Sequence, residues 1–200
     1  MKHLLTFARK LSSVHPEQGT RIIIKPNTYI YFVLLLFLIP AQWLLAWLIA
    51  LSVHEFCHWA AVKISGGVIY ELTVGIGGIK MQSSPLSDPK RFFCVLSGPI
   101  GGFFLVPARH WLPRTALCSW VLSIYNLLPF MFLDGGKALE ILLGAPIAVV
   151  LEKMLLLLLS VAAIYAMFVL NLGILPVAVI AGLWLKSRKT PCKPRICKVQ

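Results

Sequence analysis

The chain alternates between long apolar stretches and short breaks that contain proline, glycine or basic residues. Breaks of this kind end helices, and apolar stretches of this length are typical of membrane spans. We therefore predict about six transmembrane helices. They cover approximately residues 27–39, 41–64, 91–106, 115–134, 146–170 and 174–185.

The pattern changes after the second predicted span. Residues 68–74 and 79–82 are rich in β-branched and aromatic side chains, and a glycine-containing break separates them. This predicts a small hairpin or sheet at the membrane edge, with an irregular loop as the alternative. An open strand edge at residues 68–74 would let an extended peptide pair beside it. The predicted fold class is an all-α polytopic membrane protein with this small β-hairpin after the second helix.

Composition supports a membrane protein rather than a soluble one. Hydrophobic residues make up 58% of the chain, charged residues only 13%, and the mean hydropathy is +0.84. A soluble domain could not bury that much apolar surface. The net charge of +12 is explained by basic residues that flank membrane spans and contact anionic lipid, so we expect contact with the bilayer and no nucleic-acid partner.

The distribution of basic residues predicts the orientation. With six spans, 17 of the 19 lysines and arginines lie on the side of the two termini, and only Arg109 and Arg114 lie on the other side. Basic residues accumulate in cytoplasmic loops, so both termini are expected in the cytoplasm of a multi-pass protein of the cell membrane.

The ends of the chain differ from the middle. Residues 1–26 are predicted to form a cytoplasmic amphipathic segment, residues 27–185 the membrane domain, and residues 186–200 a basic, disordered cytoplasmic tail. No cleavable signal peptide is predicted. The five cysteines do not form a pattern typical of secreted disulfide-bonded proteins, because three lie in apolar stretches and two in the basic tail.

The second predicted span carries ionisable side chains, which are costly in a membrane and mark functional sites. They form the pattern His54-Glu55-x-x-His58. On a helix the two histidines lie one turn apart on one face, so both can reach one Zn²⁺ while Glu55 lies beside the ion as a general base. The alternative is a buried histidine pair that hydrogen-bonds to neighbouring helices.

Asp134 is the second unusual group, because it follows nineteen residues without an ionisable charge. In the predicted orientation His54 lies about 20 Å and Asp134 about 28 Å from the outer ends of their spans, at 1.5 Å per residue. Both therefore fall in the cytoplasmic half of the bilayer. Two histidines and one carboxylate would leave one zinc position open for water, as in catalytic sites. Cys57 is expected to be a packing residue, since it projects away from both histidines.

These motifs resemble the site-2 protease family of intramembrane zinc metalloproteases. The resemblance rests on His54-Glu55-x-x-His58, on Asn126-x-x-Pro129-x₄-Asp134-Gly135, and on Ser97-Gly98-Pro99 in the intervening span. It covers approximately residues 27–185, and the short form of the chain is similar to sporulation-type members, which process a sigma factor in bacteria. The resemblance implies a bacterial cell membrane.

The resemblance also implies roles for single residues. His54, His58 and Asp134 would bind zinc, Glu55 would activate the water, and Asn126 would hold the substrate peptide or steady its helix. The substrate would be a membrane-associated or single-span protein, cut in regulated intramembrane proteolysis. The sequence leaves open whether a regulatory membrane partner exists.

The sequence departs from the family at two positions, where Cys57 and Gly102 replace the usual glycine and asparagine. It shows neither a PDZ insertion nor a CBS domain, so nucleotide sensing is not expected. Two other function classes stay open. One is a proton-coupled membrane transporter, although no internal repeat supports it. The other is a non-catalytic zinc-bound membrane scaffold, which would have no need of Glu55.

Overall fold

The structure is a computed structural model that describes residues 21–24, 26–75, 78–171, 173–188 and 198–199. The predicted amphipathic segment lies outside the described residues, except for residues 21–24 and 26. The same is true of the predicted tail, except for residues 186–188, which are helical, and 198–199, which form a strand.

The described part of the chain contains seven α-helices. They are α1 (Pro26–Leu38), α2 (Ala41–Ile64), α3 (Asp88–Phe103), α4 (Pro113–Asn126), α5 (Asp134–Leu143), α6 (Ala145–Phe168) and α7 (Leu175–Arg188), with a short 3₁₀ helix (Val106–His110) after α3. Several of these helices have a proline in the first turn, where a backbone N–H would have no acceptor within the helix.

Three helical segments are long and apolar enough to cross a bilayer: α2, α3 together with the 3₁₀ helix, and α6. The chain is therefore described as a membrane protein. Helices α1, α4 and α7 have only 13, 14 and 14 residues, fewer than the ~20 that a bilayer normally requires. The number of six spans accordingly stays a prediction.

A small sheet follows α2, as the sequence predicted. Its strands are β1 (Arg21–Ile24), β2 (Ile69–Gly75), β3 (Gly78–Ser83) and β4 (Lys198–Val199), paired in that order. The antiparallel hairpin of β2 and β3 confirms the predicted change of pattern.

Strand β1 overturns one expectation about this sheet. It pairs in parallel with β2, from Arg21 opposite Glu71 to Ile24 opposite Val74. The prediction of an open edge along residues 68–74 is therefore wrong over most of its length. The run of isoleucines in β1 is apolar enough for a membrane span, but its β-branched side chains also suit a strand.

The fourth predicted span is divided in two. Helix α4 ends at Asn126, residues 127–133 form a turn, and Asp134 is the first residue of α5. The expectation that Asp134 continues the fourth helix is wrong, because Pro129 lies in the turn and cannot continue the helical hydrogen bonding.

The buried apolar residues include two small clusters. One joins α2, the hairpin and α3; the other joins the 127–133 turn to α6. Outside these clusters the helices expose many large apolar side chains, as expected where lipid is the solvent. The polar residues that the sequence singled out lie between α2, α3 and the start of α5.

Candidate metal centre

His54 and His58 lie one turn apart on the buried face of α2, with exposed fractions of 3% and 0%. Their rings meet edge to face, with centroids 4.9 Å apart. The Nε2 atoms of the two rings are 3.3 Å apart. The helical spacing predicted from the sequence thus brings both imidazoles to one point.

Asp134 completes the group from the other side. Its Oδ2 atom lies 3.3 Å from Nε2 of His54 and 3.1 Å from Nε2 of His58. The three atoms form a nearly equilateral triangle. Four ligands placed tetrahedrally at 2.0–2.1 Å from zinc are about 3.3 Å from one another. The triangle has the size of one face of that tetrahedron, so these residues fit a zinc ion with one position left over.

The chemistry of the donor atoms supports the same conclusion. Nδ1 of His58 donates a hydrogen bond of 2.7 Å to the backbone carbonyl of Cys94. In the neutral ring the proton is then on Nδ1, and Nε2 presents a lone pair to Oδ2 of Asp134. Two electron pairs facing each other at this distance repel unless a proton or a metal ion lies between them. A histidine ligand held through its second nitrogen is usual at metal centres.

Helix α3 holds the ring of His58 in place. Ser97 donates a hydrogen bond of 2.7 Å to the same carbonyl of Cys94. Gly98 lies directly against the ring, and a Cβ atom there would overlap its Nε2, Cε1 and Cδ2 atoms. In the sequence the Ser97-Gly98-Pro99 motif contributed only to the family resemblance, without a role for its single residues. The structure shows that its glycine makes room for a predicted metal ligand.

Two glycines place Asp134. A Cβ atom at Gly135 would overlap the carbonyl of Leu127, and one at Gly136 would overlap the carbonyl of Phe130. The first turn of α5 therefore packs directly on the backbone of the 127–133 turn. This close approach carries Asp134 to the histidines, and the helix N-terminus favours its negative charge.

Lys137 was missed at the sequence level, where it counted only as a basic residue of a cytoplasmic loop. Its side chain is buried, and its Nζ atom donates a hydrogen bond of 3.3 Å to Oδ1 of Asp134. The signal was present in the sequence. Lys137 lies three residues after Asp134, so both side chains project from the same face of a helix.

Glu55 lies next to His54 in α2, on the wall of the cavity that borders the triangle. Its carboxylate atom Oε2 is buried and has no hydrogen-bond partner in the described part of the chain, and the same holds for Nδ1 of His54. Glu55, His54 and Asp134 together line a cavity of about 740 Å³. Its remaining lining is mainly apolar and comes from α1, α2, α4, the tip of the hairpin and Lys186.

Asn126 lines the same cavity but is not one of the three close ligands. Its Nδ2 atom donates a hydrogen bond of 3.0 Å to the carbonyl of Leu122, one turn earlier in α4. This bond is compatible with the helix-steadying role, while the amide oxygen remains available for a substrate. Cys57 lies away from the triangle, with its sulfur against Gly101 of α3.

Comparison with solved structures reveals a similar fold. The chain matches the structure of the site-2 protease from Methanocaldococcus jannaschii with a TM-score of 0.61 and 16% sequence identity, over 92% of this chain and 97% of that one. At this identity the likeness concerns the fold. No family model and no curated protein matches the chain.

Proposed function

We propose that this protein is an intramembrane zinc metalloprotease. The observation that carries the proposal is the triangle formed by the side chains of His54, His58 and Asp134, with Glu55 beside it on the wall of a cavity. The site-2 protease fold of the similar structure supports the same reaction class. Two imidazoles and one carboxylate are a ligand set found in catalytic zinc sites.

In this proposal His54, His58 and Asp134 hold the ion. A bound zinc ion would acidify a water molecule and polarise the scissile carbonyl. Glu55 would accept the proton of the attacking water through its unpartnered oxygen and then deliver it to the leaving amine. Asn126, which lines the same cavity, would hold the substrate backbone.

We further propose that the substrate is a membrane-associated or single-span protein. The cavity is predominantly apolar and lies among helices that expose apolar side chains, which suits a segment arriving from the lipid phase. The activity would serve regulated intramembrane proteolysis. Activation of a membrane-bound sigma factor, as in sporulation-type members of the family, is one specific form that the sequence resemblance suggests.

The peptide bond must be presented in an extended conformation, because the backbone groups of a helix are engaged in hydrogen bonds. Gly78 and Ile79 of β3 line the cavity together with Glu55. On the outer edge of β3, β4 pairs only with residues 81–82, so residues 78–80 have no partner strand on that edge within the described residues. We propose that the substrate pairs here, rather than along β2.

The test is a cleavage assay with Glu55→Gln, which keeps the size of the side chain and removes the base. The probe is a co-expressed single-span reporter whose membrane helix is weakened by glycine and proline. We expect the purified variant to keep its zinc while cleavage falls by a factor of about 100 to 10,000, the usual contribution of a general base. Unchanged cleavage would contradict the assignment of Glu55. The absence of zinc from the wild type would contradict the protease proposal itself and favour the transporter class.

A further inference from the structure

Lys137 is a buried cation that the proposed reaction does not use. Its exposed fraction is 8%, and it lies in the first turn of α5. A lysine is rarely buried to this extent without a partner, because its charge loses the solvation of water. The hydrogen-bond partner of its Nζ atom is Oδ1 of Asp134.

The two carboxylate oxygens of Asp134 therefore have different partners. Oδ2 lies 3.3 Å and 3.1 Å from the Nε2 atoms of His54 and His58, whereas Oδ1 lies 3.3 Å from the lysine nitrogen. The carboxylate is held between the imidazole pair on one side and the ammonium group on the other. Rotation of the carboxylate would break the contact with the lysine.

We propose that Lys137 is a positioning residue that makes Asp134 a metal ligand through Oδ2 alone. The inference rests on the proposed function. A carboxylate without such a hydrogen bond can swing its second oxygen onto a metal and bind through both. A second oxygen would take the coordination position that water and substrate need. Lys137 therefore keeps Oδ2 in the triangle and Oδ1 out of it.

The test compares Lys137 variants by metal binding, with the full-length protein purified in detergent. Lys137→Met keeps the length of the stem and removes the donor, while Lys137→Arg keeps a charged donor. We expect Lys137→Met to bind zinc about 10- to 100-fold more weakly in competition with a chelator, which is the usual effect of losing a hydrogen bond to a ligand. Lys137→Arg should recover most of the affinity.

Cobalt(II) gives a second readout that a purely structural role would not move. Four-coordinate cobalt absorbs visible light strongly, and higher coordination weakens the absorption, so the spectrum reports the number of ligands. We expect a tetrahedral spectrum for the wild type and for Lys137→Arg, and a several-fold weaker one for Lys137→Met.

The matched control is Lys153→Met on α6. Lys153 lies over the ring of Trp184, with its Nζ atom 5.0 Å from the ring centroid, and it is not one of the residues around the metal centre. This variant should keep both the zinc affinity and the cobalt spectrum. Should Lys137→Met fail to fold, Lys137→Leu replaces it, because leucine is also apolar and has no hydrogen-bond donor.

The outcomes separate this inference from the proposed function. If the wild type binds zinc and the donor-less variant matches it in affinity and spectrum, the role of Lys137 is wrong and the protease proposal stands. If Lys137→Arg binds zinc as weakly as Lys137→Met, a charged donor at this position does not support zinc binding, and the positioning role is again wrong. A wild type that binds no metal would overturn both.

Discussion

The two sides of the candidate metal centre are built differently. On the side of α3, which we call the rear side and define by Cys94, Ser97 and Gly98, every neighbour fixes the ring of His58. On the cavity side, Nδ1 of His54 and Oε2 of Glu55 have no partner among the described residues. The rear side is suited to holding a ligand still, whereas the cavity side has two buried polar atoms without a partner among the described residues.

The most severe disturbance of the rear side is Gly98→Ala. A Cβ atom at this position would overlap the atom of His58 that faces Asp134. Because α3 is packed tightly against α2, the ring must move, and overpacking of this kind costs about 1–3 kcal/mol. We expect the zinc affinity to fall by a factor of about 10 to 100, measured by competition with a chelator.

Gly182→Ala is the matched control for this substitution. Gly182 lies in α7, and a Cβ atom there would meet nothing within 4 Å. Alanine is the better helix former, so this variant should fold and bind zinc as the wild type does. Equal zinc affinities for the two alanine variants would show that the rear side does not need to be rigid.

On the cavity side we predict that a substrate lies along β3. A photoreactive amino acid at Lys80, which is exposed on β3 beside the open edge, should crosslink to the single-span reporter in the Glu55→Gln background. The same group at Tyr70, which is 42% exposed on β2, should crosslink at least several-fold less, because β1 pairs with the residues that directly follow it, Glu71–Val74. Stronger crosslinking from Tyr70 would mean that the substrate displaces β1, and would contradict pairing with β3.

The smallest effect is expected for Ser97→Ala on the rear side. Its hydroxyl donates to the carbonyl of Cys94, which also accepts the bond from His58. A single hydrogen bond of this type contributes about 0.5–1.5 kcal/mol, so the zinc affinity should fall by less than about 10-fold. Ser160→Ala removes a similar bond to a carbonyl in α6, together with the acceptor of the Trp184 indole N–H, and should leave zinc binding unchanged. A loss for Ser97→Ala as large as that for Gly98→Ala would show that hydrogen bonding, rather than close packing, fixes the ring.

Local patterns predicted much of this arrangement. The i, i+4 spacing of His54 and His58 is a property of any helix, so their meeting point followed from the sequence alone. The hairpin of β2 and β3 also follows from local residue types and a short turn. Both features depend on residues that are close in the chain.

The features that the sequence reading missed depend on distant contacts. Strand β1 pairs with residues fifty positions later, and nothing in its own isoleucines distinguishes a strand from the start of a membrane span. Gly98 contacts a ring that belongs to another helix. Lys137 was assigned to a loop because Asp134 was placed in a continuous fourth helix, and once α5 begins at Asp134 the two side chains share its first turn.

The central claim is that Asp134 and the two histidines of α2 bind one metal ion together. The most direct measurement is the zinc content of purified wild type and of Asp134→Ala, with folding checked by thermal unfolding. We predict one zinc ion per wild-type chain and a large loss of zinc from the variant. A variant that retains the full amount, or a wild type without zinc, would contradict the account.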